Sequence, residues 1–152
     1  MPKRDSIVFS RSRNVPQKED KLDILLAKKK KLFQAFAIFP FQLRPDELII
    51  DTQKITLLYN ELFGPSTAET ILLDQVEDVE IDISLWFGTL RILSLTHDKQ
   101  WLKITGMHRN DTIKAKRIIE GLLIAKKEGI DFDVNDTTAL ADKLEKLGSP
   151  FN

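Results

Sequence analysis

The chain has 152 residues, and its 23 Lys and Arg balance 23 Asp and Glu to give a formal net charge of zero. This length suits one domain with appendages. There is no cysteine, which excludes disulfides, thiolate nucleophiles and cysteine-ligated zinc and favours a reducing, cytoplasmic location. No apolar run approaches the ~20 residues that a membrane-spanning helix needs, so the sequence predicts no transmembrane segment.

The charges are unevenly distributed along the chain. Residues 1–34 carry 10 basic and 4 acidic side chains, a net charge of +6, so the remaining residues carry −6. A basic arm on an acidic body indicates either an anionic partner or docking of the arm on its own domain. Residues 1–17 are polar and basic, which is typical of a flexible tail.

A helical period follows this tail, from Asp20 to about Phe36. Its apolar residues recur at three- and four-residue spacings, which predicts an amphipathic helix. The apolar stripe consists of Leu22, Leu25, Leu26, Leu32, Phe33 and Phe36. Lys28, Lys29, Lys30 and Lys31 lie on the opposite side. Pro40 and Pro45 then favour an extended connection, because the residue before a proline avoids the helical region.

Strand-like alternation runs from Asp46 to Lys103. The clearest case is Val76–Leu85, in which the apolar Val79, Ile81, Ile83 and Leu85 alternate with the polar Asp78, Glu80, Asp82 and Ser84. This pattern is typical of a strand with one buried face. The alternation predicts six strands and leaves room for a seventh in the connections. These six are Glu47–Asp51, Lys54–Phe63, Glu69–Leu73, Val76–Leu85, Thr89–Thr96 and Gln100–Thr105.

Two helices are predicted after the strands. The first runs from about Asp111 to Lys127, after the N-cap sequence Asn110-Asp111-Thr112, and Gly129 ends it. The second, Thr137–Leu147, begins at an Asn135-Asp136 cap. The predicted fold class is therefore mainly β with α (α+β), an antiparallel sheet closed by a C-terminal helix.

Two consecutive packing patterns carry a resemblance to a known family. Ile71, Leu73, Val76 and Val79 form the first, and Gly88, Thr89, Leu90 and Ile92 form the second. With the helix that begins at Asn110, they make residues 42–128 similar to a bacterial pleckstrin-homology-like (PH-like) domain. The predicted organisation is a tail (1–17), a basic helix and connection (18–41), a PH-like domain (42–129) and an acidic linker with a short helix (130–152).

The resemblance implies a strongly bent antiparallel sheet, or roll, of about seven strands capped by one helix. It also implies binding rather than catalysis, with lipid headgroups bound in some members and protein or peptide in others. Lipid-binding members often carry a basic pattern around the first turn. Here that turn, Asp51–Lys54, holds one cation and one anion. This departure argues against inositol-phosphate recognition there.

The lysine run Lys28–Lys31 is the first candidate for a binding site. A basic amphipathic helix can lie in a membrane interface, where each lysine near anionic lipid contributes on the order of 1 kcal/mol. The same lysines could contact nucleic-acid phosphates, although one cationic run is a weak signal and nucleic acid is not expected. Alternatively, the apolar stripe docks on the sheet and the lysines are solvated.

Aromatic residues give the second set of candidates. Phe36 and Phe39 belong to an aromatic run that either inserts in a membrane or packs the predicted helix onto the sheet. Trp86 and Phe87 precede Gly88 at a turn between strands. They form a contact patch for lipid or protein if exposed and a plug for the end of the sheet if buried, and we expect them to be core residues.

Catalytic and metal-binding patterns are not found. His97 and His108 fall in predicted turns, with no Ser-His-Asp, HExxH or phosphate-loop pattern around them. Asp131–Asp142 spaces its acids like a calcium loop but has Asp136 where that loop requires glycine, so an acidic linker and helix cap explain these residues. No catalytic residue, metal or cofactor is assigned.

The sequence thus predicts a non-catalytic binding module, cytoplasmic or peripheral on the inner face of the membrane. Its partner is predicted to be an anionic membrane surface or a protein. The alternative is a scaffold or self-association module, a homo-oligomer included, in which a helical extension offers its apolar stripe and no lipid is bound.

Overall fold

The computed structural model describes residues 31–38, 43–95, 100–132 and 135–150. These residues form an α+β fold of one antiparallel sheet followed by two helices. The strands are β1 (Lys31–Ala37), β2 (Asp46–Asp51), β3 (Lys54–Asn60), β4 (Ser66–Leu72), β5 (Val76–Ile83), β6 (Phe87–Ser94) and β7 (Trp101–His108). The helices are α1 (Arg109–Lys127) and α2 (Thr137–Leu147). The predicted α+β class, an antiparallel sheet followed by C-terminal helices, is confirmed.

The connection between the two outermost strands shows that the sheet is strongly bent. The strand order is β4-β3-β2-β1-β7-β6-β5, so β4 and β5 are the two edges. A three-residue 3-10 turn, Leu73–Gln75, joins them directly. Four backbone steps from Leu72 to Val76 reach at most about 15 Å. In a flat seven-stranded sheet the two edges would lie about 29 Å apart, so the sheet must curl.

Strand β1 corrects the prediction of a helix ending at Phe36. Residues Lys31–Ala37 are extended and pair with β2 along their length, from Lys31 opposite Asp51 to Ala37 opposite Asp46. Ala37 also pairs with Met107 of β7, and the Ile38 N–H donates to the Gly106 carbonyl at 2.9 Å. The predicted helical residues before Lys31 lie outside the described residues. The sheet thus takes a strand from the segment predicted as a basic helix and its connection.

Several other boundaries also differ from the sequence prediction. Strand β4 begins at Ser66 rather than Glu69, and β7 continues through Gly106 to His108 instead of ending at Thr105. Helix α1 begins at Arg109, and its N-cap is His108 rather than the Asn110 region. The His108 Nδ1 atom accepts a hydrogen bond from the Asn110 N–H at 3.4 Å. Asp136 caps α2 as predicted, accepting from the Thr138 and Ala139 N–H groups.

The core lies between the curled sheet and α1. The sheet contributes its alternating apolar residues, and α1 contributes a buried stripe of Ala115, Ile118, Ile119 and Leu122. Gly88 explains how closely α1 approaches β6, because a Cβ atom there would lie 2.5 Å from the Thr112 hydroxyl oxygen. The fully buried largest side chains of the sheet are Leu48, Ile50, Ile55, Leu57, Leu90, Ile92, Ile104 and Met107.

Helix α2 packs on α1 through a close backbone contact. Its buried residues are Ala141 and Leu144, and a Cβ atom on Gly121 of α1 would collide with the Leu144 carbonyl. At the rim, Lys114 lies 3.5 Å from the Asp142 carboxylate and 3.4 Å from that of Glu145. Helix α1 is therefore covered by the sheet on one side and by α2 on another.

Candidate functional site

The predicted lysine site is only partly described by the structure. Lys31 is the exposed first residue of β1, and its Nζ atom lies 2.5 Å from the Gln34 Oε1 atom. Lys28, Lys29 and Lys30 lie outside the described residues, as does Phe39. The proposed membrane helix therefore stays a prediction, except that its last residues belong to a strand.

The aromatic candidates lie at one end of the sheet. Phe36 is exposed on the face opposite the buried Ala35 and Ala37. Phe87 is half-buried and pairs with His108 of β7. Trp86, in the turn between β5 and β6, is 67% exposed, and its neighbour Leu85 is 73% exposed. Core packing was therefore the wrong expectation for Trp86.

A groove runs between the edge strand β5 and helix α1. Its volume is about 680 Å³. The apolar lining comes from Val79 and Ile81 of β5 and from Ile113, Leu123 and Ile124 of α1. Residues 147–150, at the end of α2 and just beyond it, also line the groove. We call this the β5–α1 groove.

Along this groove, the edge of β5 that faces away from β6 is not paired with another described strand. Within the described residues β5 pairs only with β6. The Val79 N–H donates to the Asp78 carboxylate at 2.7 Å, and the Val79 carbonyl accepts from Lys116 Nζ at 3.0 Å. Both Val79 groups therefore point away from β6. Because this orientation alternates along an antiparallel strand, Ile81 and Ile83 also direct their N–H and C=O groups to the free edge.

The free edge is acidic on its β5 side and mixed on its α1 side. β5 carries Glu77, Asp78, Glu80 and Asp82. Arg91 of β6 contacts Glu80 at 3.2 Å and Asp82 at 3.1 Å. Across the groove, Lys116 pairs with Glu120 at 3.1 Å. These pairs are partly exposed, so each contributes at most about 1 kcal/mol and leaves the edge accessible to a competing cation.

A second surface is formed by apolar side chains on two connected loops. Strand β2 follows β1 and pairs with β3, so the connection after β1 lies beside the connection after β3. There Leu43 is 85% exposed and Phe63 is 98% exposed. Asn60 Nδ2 donates to the Pro45 carbonyl at 2.7 Å and holds the two loops together. We call Leu43, Leu62 and Phe63 the apolar loop end.

One titratable group of this end has a shifted pKa. Burial, followed by the charge of Glu69, raises the pKa of Tyr59 to about 12. The Tyr59 hydroxyl donates to the Lys103 carbonyl of β7 at 3.2 Å, bridging the two halves of the sheet. Among the described residues no three His, Cys, Asp or Glu side chains converge as metal ligands.

Comparison with known proteins gives no relative from which to transfer a function. No family model matches the chain, and neither a curated protein nor a solved structure is significantly similar to it. None of the helices in the described part of the chain combines the length and the apolar composition needed to cross a bilayer. The groove itself was missed by sequence analysis: alternation identified Val79, Ile81 and Ile83, but it does not reveal which strand lies at an edge.

Proposed function

We propose that this protein is a non-catalytic binding module of the PH-like type that holds an extended segment of a partner protein against the free edge of β5. The PH-like assignment is supported by the packing patterns at Ile71–Val79 and Gly88–Ile92, by seven antiparallel strands in a bent sheet and by the helix that follows them. A PH-like domain is expected to bind a partner and not to catalyse a reaction, which agrees with a site formed by an apolar groove and a strand edge.

The observation that carries the proposal is the orientation of the β5 backbone beside an apolar groove. An incoming strand can pair with the outward N–H and C=O groups of Ile81 and Ile83. Every second side chain of that strand would then face Leu123 and Ile124 of α1. Backbone pairing supplies affinity in this mode, while the groove and the acidic rim select side chains.

The experiment is a selection of displayed peptides on the full chain, followed by binding measurements with edge variants. In Ile81→Pro the outward N–H is removed, while the ladder to β6, which uses the neighbouring residues, is kept. We expect selected peptides to lose at least about tenfold in affinity, the equivalent of one or two backbone hydrogen bonds. Amide resonances of Ile81 and Ile83 should shift on peptide addition to the unmodified protein.

A matched pair of substitutions controls for nonspecific effects. Ile124→Asp places a charge in the groove, whereas Ile130→Asp places it outside, and the two isoleucines are 40% and 52% exposed. Only Ile124→Asp should weaken peptide binding, with thermal unfolding confirming that both variants fold. Selected peptides that bind Ile81→Pro and Ile124→Asp as tightly as the unmodified protein would contradict the proposal.

A second candidate function, peripheral membrane association, is favoured by the apolar loop end. Leu43 and Phe63 protrude from adjacent loops with almost no intramolecular contact, and apolar side chains of this kind can insert into the headgroup boundary. The expected result is sedimentation with anionic vesicles that is lost in Leu43→Ser with Phe63→Ser. It should persist in Leu85→Ser with Trp86→Ser, which removes exposed apolar side chains from the separate turn between β5 and β6. No sedimentation at low salt contradicts this candidate.

A further inference from the structure

We infer that Ile7–Arg13 of this same chain occupies the β5–α1 groove as an added strand and competes there with external partners. The inference rests on the proposed function, because it assigns an intramolecular occupant to the same site. Three observations carry it: the charge of the groove, the composition of the segment and the position at which the described chain begins.

The charge of β5 selects the kind of strand that can join it. Strand β5 carries four carboxylates over eight residues. Arg91 of β6 contacts two of these carboxylates, those of Glu80 and Asp82. A second copy of β5 paired antiparallel across this edge and centred on Glu80 would set Glu80 opposite its counterpart and Asp78 opposite Asp82. Like charges directly opposite each other destabilise a sheet. A basic strand is complementary, whereas self-pairing through β5 is disfavoured.

Ile7–Arg13 has the composition of such a strand. Its sequence, Ile-Val-Phe-Ser-Arg-Ser-Arg, begins with β-branched and aromatic residues, which favour extended pairing. Arg11 and Arg13 supply the positive charge. Seven residues extend about 23 Å, which is close to the length of the eight-residue β5. Because side chains alternate along a strand, Arg11 and Arg13 would share one face with Ile7 and Phe9. That face can lie against the acidic side chains of β5, while Val8 faces the groove.

The segment can reach the groove from the start of β1. Lys31 pairs with Asp51, and the Gln53 carbonyl, two residues further, accepts from the Leu73 N–H at 2.9 Å in the turn that leads into β5. These steps place Lys31 within about 30 Å of Val76. The intervening residues 14–30 can extend about 56 Å. Chain length therefore permits docking without displacing β1.

Occupancy by this segment would make partner binding a displacement reaction. An external strand must then compete with a tethered one, whose effective concentration lies in the millimolar range for a flexible linker. Weakening the intramolecular strand should therefore strengthen the binding of external peptides. Arg11→Glu with Arg13→Glu is the variant that changes this competition without altering the groove.

The absence of cysteine makes a direct test straightforward. A nitroxide label on Ser12→Cys in the full chain should broaden the amide resonances of Ile81 and Ile83. Adding Arg11→Glu with Arg13→Glu should abolish the broadening and speed exchange of these amides by about tenfold, the equivalent of one hydrogen bond. Lys18→Glu with Lys21→Glu makes the same charge change outside the segment and should leave both signals unchanged.

Three other outcomes overturn the inference, and a fourth overturns only the proposed function. Broadening confined to other surfaces would place the segment elsewhere. Broadening of an isotope-labelled chain only by a separately spin-labelled chain would assign the groove to a second copy. If selected peptides bind but the label on Ser12→Cys broadens no amide resonance, the inference is refuted and the proposed function is preserved. Docking of the segment without any peptide binding would refute the proposed function and preserve the placement of the segment in the groove.

Discussion

Val79 has both of its backbone hydrogen-bonding groups held by side chains of opposite charge. The Asp78 carboxylate accepts from its N–H, and Lys116 Nζ donates to its carbonyl. Charged side chains that cover an edge are a common protection against unwanted strand pairing. At this one residue the edge is closed, while the next outward positions, Ile81 and Ile83, offer their groups to the groove.

Replacing Lys116 should make the edge more accessible at little cost in stability. We expect Lys116→Met to change the free energy of unfolding by less than about 1 kcal/mol, because the ion pair with Glu120 is partly exposed. Selected peptides should bind several-fold more tightly, since the Val79 carbonyl becomes available. Calorimetric titration checks this expectation, with Lys127→Met as the control at the far end of α1. Unchanged or weaker binding contradicts it.

Tyr59 should give the protein a specific sensitivity to alkaline pH. Burial raises its pKa from 10.0 to about 12, so the folded protein holds the phenolic proton more tightly than the unfolded chain. The resulting stabilisation is complete below about pH 10 and is lost as the pH rises towards 12. Tyr59→Phe should remove the part of the pH dependence that falls in this window.

The chain offers a clean measurement of this effect. Tyr59 is its single tyrosine, so tyrosinate absorbance reports this group alone. Titration of the native protein should have a midpoint near 12, and the denatured protein should titrate near 10. Coincident midpoints in the native and denatured proteins would contradict the burial of the phenol.

At the scale of elements, the packing of α2 depends on the absence of a side chain in the middle of α1. We expect Gly121→Ala to lower the free energy of unfolding by about 1–3 kcal/mol, because the new Cβ collides with the Leu144 carbonyl and α2 must shift. Lys127→Ala, on an exposed part of the same helix, should stay within about 0.5 kcal/mol. Chemical denaturation measures both, and equal effects would show that α2 does not pack this closely.

The elements differ in how well the sequence predicts them. Strand β5 and the body of α1 have one clear period each, and both were predicted nearly to their ends. Strand β1 was predicted as helix, because Leu32, Phe33 and Phe36 satisfy helical spacing by coincidence. Its actual buried residues include the small Ala35 and Ala37, which give a weak apolar signal. The bulge near Lys31 further breaks the alternation.

The binding surfaces were less predictable than the elements, for a physical reason. A groove depends on which strands are neighbours in space, and local periodicity carries no information on strand order. Trp86 illustrates the same limit, since an aromatic residue beside a glycine suits either a core or an exposed turn. Only the curl of the sheet, set by the short turn at Leu73–Gln75, determines that β5 faces α1 with a free edge.

At the scale of the whole molecule, β1 is the strand that joins the two halves of the sheet. It lies between β2 and β7 in the middle of the strand order. A chain beginning at Lys31 should unfold cooperatively, within a few degrees of the full chain. A chain beginning at Phe39 lacks β1 and should show no cooperative transition, because buried Ala35, Ala37 and their pairing are lost. Thermal unfolding followed by circular dichroism distinguishes them, and similar curves would contradict this role.

The short turn between β4 and β5 also divides the protein in a way that permits reconstitution from fragments. The strands described before Leu73, β1 to β4, form one meander, and those described after Gln75, β5 to β7, form another that is followed by the two helices. A backbone cut in this turn would thus leave each piece with its own consecutive pairings, and the two pieces would meet again through β1, β7 and the shared core. The molecule is therefore a natural candidate for a split reporter, in which two inactive halves regain their fold when a pair of attached proteins brings them together.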